Sequence, residues 1–133
     1  LMAAAGLAMG HAILVEADPG EDAVIEQPPD VVRLRFDAPV GKRYLALAVI
    51  DASHQRVDQR DAERDMLDPS IIQVHLRQPL APGAYWVRYR VQSADGHIVT
   101  GRYRFTIVGA SHAGKQNANP SFLERLVGLF RGR

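Results

Sequence analysis

An all-β fold, an antiparallel β-sandwich or Greek-key barrel of about seven strands, follows from three features of the sequence. Several short stretches alternate apolar and polar residues with a period of two. Turn chemistry in glycine, proline and aspartate separates them. The body of the chain shows no helical period, and 133 residues without a cysteine are enough for one domain whose core is held by packing and not by disulfides.

The elements can be taken in order. Ile13 to Glu16 reads as a short first strand, ended by the turn residues Asp18, Pro19 and Gly20, and Gln27 to Asp30 is a second break. Val31 to Asp37 alternates cleanly, with Val32, Leu34 and Phe36 on one face and Arg33, Arg35 and Asp37 on the other. Tyr44 to Ile50 is apolar on both parities, which predicts a central strand covered on both faces or one with alanines along one side. Asp51 to Pro69 is charge-dense and aperiodic, and is expected to be a turn followed by a mobile loop. Ile72, Val74 and Leu76 point inward on the next strand, with Gln73 and His75 outward. After a turn at Pro79 to Gly83, Tyr85, Val87, Tyr89 and Val91 alternate against Trp86, Arg88 and Arg90. Val99, Gly101, Tyr103, Phe105 and Ile107 then alternate against Thr100, Arg102, Arg104 and Thr106. Strands of this length and spacing suit an immunoglobulin-like sandwich.

Both termini differ from this body. Leu1 to Met9 is apolar, alanine-rich and too short to span a bilayer, and Ala8 and Gly10 occupy the small-residue positions of a secretory cleavage site. Residues 1–10 therefore read as the remnant of a cleaved signal peptide, with export to the periplasm as the consequence; the other reading is an apolar segment that stays attached. After Val108 the sequence becomes a linker, and Phe122, Leu126, Leu129 and Phe130 follow a possible capping box of Ser121 and Glu124. A short amphipathic C-terminal helix is expected within residues 109–133. It can dock on the sandwich, lie on a membrane surface or do neither.

Charge narrows the function. Sixteen basic against fifteen acidic side chains argue against a surface for nucleic acid, which normally shows as a basic excess. No phosphate-cradling glycine loop or nucleophile elbow is visible, so the chain is not expected to be an enzyme. The chemistry concentrates in Ser93-Ala94-Asp95-Gly96-His97, a polar loop between the two longest strand-like runs. A carboxylate and an imidazole two residues apart supply two donors, and a first-row transition metal normally asks for about two more. His11 is the strongest source: exposed by cleavage after Gly10, it chelates through its amine and its ring. An amine, two imidazoles and a carboxylate suit Cu(II), which also tops the affinity order of the divalent ions. Ser93 is placed to hydrogen-bond a ligand and fix its orientation. Aspartate followed by glycine also favours hairpin turns, so the loop has a purely structural reading as well.

The run HAILVEADP from His11 to Pro19, Val32 to Phe36 with Pro39 and Val40, and PLAPGAYWVRYRVQSADGHIVTGRYRFTI from Pro79 to Ile107 resemble the periplasmic copper-resistance protein C family. The resemblance covers His11 to Val108, and a copper-binding domain is expected over residues 11–108. It implies a small cupredoxin-like β-sandwich that binds copper, with a membrane copper transporter or another periplasmic copper protein as its partner. It also implies that the N-terminal strand runs beside the loop, so that the amine and ring of His11 join Asp95 and His97 around the metal. Two departures matter. Met66 is the single methionine outside the expected signal segment, so no separate Cu(I) site is expected, and Ala38 occupies the place where some members carry an acidic residue, leaving Asp37 as a weak substitute.

His54, His75 and His112 are expected to be solvated. Two alternatives to a copper carrier remain open on sequence. A histidine chelating through amine and ring is also the brace of copper oxygenases, and the fold can serve as a metal-free interaction module.

Overall fold

The computed structural model describes residues 12–109. Eight strands form two four-stranded sheets whose inner faces enclose one core. They are β1 (Leu14–Asp18), β2 (Val24–Ile25), β3 (Val31–Phe36), β4 (Ala46–Asp51), β5 (Glu63–Arg64), β6 (Ile71–His75), β7 (Gly83–Gln92) and β8 (Ile98–Ile107). One sheet has the order β1-β3-β6-β5 and the other β2-β8-β7-β4. All pairings are antiparallel except the short β2–β8 contact. Two strands of only two residues, β2 and β5, bring the number above the expected seven. The predicted amphipathic helix lies outside the described residues.

The period-two pattern explains which side chains form the core. Val32, Leu34 and Phe36 from β3 meet Ile72 and Val74 from β6 and Leu76 just beyond it, facing Val87, Val91, Tyr103, Phe105 and Ile107 of the other sheet, all buried. Phe105 is fully buried and its ring stacks on Tyr85 with centroids 5.5 Å apart. The Pro82-Gly83-Ala84-Tyr85 run is a corner: Gly83 takes a φ of +146°, which glycine tolerates, and the Tyr85 hydroxyl donates to the Ala81 carbonyl at 2.6 Å.

Two expectations need correction. Tyr44 to Ile50 is not a central strand; β4 pairs with β7 alone and lies at the edge of its sheet. The double apolar parity arises because Leu47 and Val49 enter the core while Ala46, Ala48 and Ile50 line the outer face half-buried, which was the other reading of those alanines. The segment after it is not irregular throughout either: it contains β5 and a buried polar anchor. Asp58 is fully buried there, accepting from the Val49 amide at 3.0 Å, the Arg60 amide at 3.0 Å and the Arg56 guanidinium at 2.7 Å. Burial alone would raise its pKa, yet the hydrogen bonds from Arg56 and the two amides outweigh it and hold the carboxyl below its ordinary value. A polar anchor of this kind has no hydrophobic period and stays invisible in one.

Gly101 faces inward directly opposite Tyr89, and a Cβ there would overlap the end of the Tyr89 ring. That ring is set edge-on against Phe36, with centroids 5.5 Å apart. Gly101→Ala is therefore expected to destabilise the fold by about 1–3 kcal/mol through overpacking. The check is a thermodynamic cycle with Tyr89→Ala: the glycine change should cost much less once the ring is gone, and additive effects would show that the ring is not the obstacle.

Candidate metal centre

Tight local hydrogen bonding shapes the β7–β8 loop. The Ser93 amide donates to the His97 carbonyl at 2.8 Å and the Gly96 amide donates to the Ser93 carbonyl at 2.9 Å. Gly96 has a φ of +92°, which glycine adopts without strain and which returns the chain toward β8. The loop thus closes on itself and presents Asp95 and His97 on one side. The Asp95 Oδ1 accepts from the Ser93 hydroxyl and, at 3.1 Å, from the His97 amide. Its Oδ2 lies 2.9 Å from His97 Nδ1.

These contacts set the charge. The Ser93 hydroxyl, then the His97 ring and the His97 amide, hold the Asp95 carboxyl well below the usual carboxylate range, so it is ionised at neutral pH. Ser93 is buried, while the His97 side chain is 71% exposed. A fixed base carrying an accessible imidazole is what an incoming ion needs. The 2.9 Å between Oδ2 and Nδ1 is a hydrogen-bond distance, so a metal taken up at both atoms would replace the hydrogen they share.

On sequence Asp37 is a weak substitute ligand; the structure gives it a different task. Its Oδ1 accepts the Ile13 amide at 2.9 Å and its own amide donates to the Ile13 carbonyl at 2.9 Å. A clasp of this kind fixes where the chain enters β1, next to an irregularity in register between Leu14 and Glu16. Four residues after Asp37, the Gly41 amide donates to the Gln92 carbonyl at 2.9 Å, beside the loop. The start of β1 and the Asp95–His97 loop therefore share one end of the sandwich. A strand-end aspartate followed by proline, as in Asp37-Ala38-Pro39, was the available signal.

Ser93, Asp95 and His97 come together as expected; His11 lies outside the described residues. Among the described residues no three histidine, aspartate or glutamate side chains converge to hold a metal. His75 points outward but is not simply solvated: its amide donates to Asp61 Oδ1 at 2.9 Å and its Nδ1 lies 2.7 Å from Asp61 Oδ2.

The CopC domain family model matches residues 14–108. The chain belongs to the CopC family. Among solved structures, this CopC-family chain is similar to CopC from Methylosinus trichosporium OB3b, with a TM-score of 0.69 and 33% identity over 75% of this chain and 96% of that one. It is also similar to PcoC, a methionine-rich copper resistance protein from Escherichia coli, with a TM-score of 0.64 and 26% identity over 74% of this chain and 99% of that one. Among curated proteins it is 31% identical over 97 residues to the copper transport protein CutJ of Bacillus subtilis. That match covers 73% of this chain and 18% of CutJ, so the chain spans less than a fifth of that relative's length. With three methionines in all, the CopC-family chain does not share the methionine richness of PcoC.

Proposed function

We propose that this CopC-family protein is a periplasmic copper carrier or buffer that holds one Cu(II) with the amine and imidazole of His11, the carboxylate of Asp95 and the imidazole of His97. Residues 11–108 are the copper-binding unit in this reading. The observation that carries it is the neighbouring pair of an ionised Asp95 carboxylate and an exposed His97 imidazole, at the end of the sandwich where the Asp37 clasp holds the start of β1. Copper is cargo here, and the chain's own residues do the selecting. Nitrogen and oxygen donors favour Cu(II) over Cu(I), which prefers sulfur. Ser93 holds the Asp95 carboxylate ionised and oriented, as the groups behind metal ligands do.

A membrane copper transporter that receives the ion is the partner in this reading, supported by the matching segment within a copper transport protein. Carriage and not catalysis is the better reading, because the Asp95 carboxylate beside the ring occupies a place that oxygen chemistry needs open.

Competition titrations against chelators selective for each oxidation state test the proposal. The protein beginning at His11 is expected to hold one equivalent of Cu(II) tightly and Cu(I) poorly. Tight Cu(I) binding in a form whose single thioether is Met66 would contradict the ligand set.

A further inference from the structure

The outer face of the β4–β7–β8 sheet takes no part in the copper reading, and its chemistry is different. Arg88 and Arg90 project from β7 and Arg102 from β8, all exposed, over a floor of half-buried Ala46 and Ala48 from β4. With Thr100 these residues line a groove of about 620 Å³. Arg88 and Arg102 are directly opposite one another across the β7–β8 ladder. Like charges facing each other in this way destabilise a sheet.

Ion pairs among the described residues do not offset them. Among the described residues, Arg88, Arg90 and Arg102 enter no ion pair; Arg90 Nε donates to the Tyr44 carbonyl at 2.8 Å. Arg56, also at the groove, turns its guanidinium to the buried Asp58. Asp51, in the adjoining hollow with Arg88 and Arg102, has its Oδ1 engaged by the amides of Ser53 and Gln55. Arg104 is set 3.9 Å from Asp22. Ion pairing among the described residues therefore gives no reason for this cluster.

We infer that this groove binds an extended acidic segment of a partner protein. Arg88 and Arg90 alternate along one strand, which spaces them by about 6.6–6.8 Å, the same distance that separates every second side chain of an extended peptide. A segment with carboxylates at alternate positions matches them in register, and the alanine floor leaves room for its backbone. The chain's own C-terminal residues do not suit the groove: residues 110–133 carry Lys115, Arg125, Arg131 and Arg133 against Glu124, four cations to one acid. Long polyanions suit it less as well, since sixteen basic against fifteen acidic side chains leave no large basic excess to hold them beyond the groove.

Trp86, the single tryptophan, precedes Arg88 on the same strand face and lines the adjoining hollow, so it reports occupancy. Its fluorescence in the full, metal-free chain is followed at low salt while adding a tryptophan-free twelve-residue peptide of alternating glutamate and serine. Saturable binding is expected, weaker as salt is raised, and at least tenfold weaker in the Arg88→Gln, Arg102→Gln double variant. That variant should melt no lower than the parent, since it removes an opposed pair. Thr100→Glu, which sets an acid opposite Arg90, should weaken the peptide as well. Absence of saturable binding, equal affinity for a lysine-serine peptide, or equal affinity in both variants would overturn the inference. So would phosphatidylglycerol vesicles binding through these arginines while the peptide does not, which would assign the face to an anionic lipid surface.

Discussion

Replacing Phe105 with alanine is expected to cost about 3–5 kcal/mol of folding free energy, the range for emptying a buried aromatic site. The side chain is fully buried and stacks on Tyr85. It sits on β8, which pairs with both β2 and β7 and so ties half of its sheet together. The surrounding side chains come from two sheets locked by their ladders, so the cavity has little freedom to collapse. Chemical denaturation measures the effect directly, and a midpoint unchanged from the parent would mean that Phe105 is not a core residue. The neighbouring Arg104 is exposed, its side chain at 56%, and its replacement by alanine is expected to change stability by no more than about 0.5 kcal/mol.

That contrast between adjacent residues is also the reason the core was legible in the sequence. Wherever one face of a strand is buried and the other wet, as in β3, β6, β7 and β8, the period of two fixes each side chain's direction. Legibility failed where that asymmetry is missing. Alanine at 46 and 48 is small enough to lie half-buried on an outer face, so β4 looked covered on both sides although it is an edge. The segment after it is organised by the carboxylate of Asp58 reaching the Val49 amide, a contact between residues whose pairing no local pattern announces. Glycine at 101 read as an ordinary inward position, and only the opposing Tyr89 explains it.

The candidate site divides in the same way. Asp95, Gly96 and His97 were readable because the loop is local: three residues and one glycine turn bring both donors to one side. The family resemblance, and not spacing, implies that the N-terminal strand runs beside the loop. In the structure the start of β1 and the loop share one end of the sandwich through two non-local contacts, Ile13 with Asp37 and Gly41 with Gln92.

His97→Ala is expected to weaken Cu(II) binding by at least about tenfold, or about 1.4 kcal/mol, whereas His75→Ala should leave it unchanged. The comparison is a stringent one because the two histidines are held alike, each with its amide and Nδ1 on one aspartate. What differs is location. His75 pairs with Val31 at the opposite end of β3 from Asp37, away from the start of β1. If both replacements weaken copper equally, an aspartate–histidine pair suffices for binding and the N-terminal residue adds nothing.

The amine of His11 is therefore the donor on which the account turns. When it is free, it closes a chelate with its own ring; when a residue precedes it, it becomes an amide that donates to a metal only after losing a proton. Cu(II) affinity should be measured side by side for protein beginning at His11 and protein that keeps Gly10 and the residues before it. The form beginning at His11 is predicted to bind at least about tenfold tighter, about 1.4 kcal/mol, and equal affinities would contradict the proposed site by removing the amine from it.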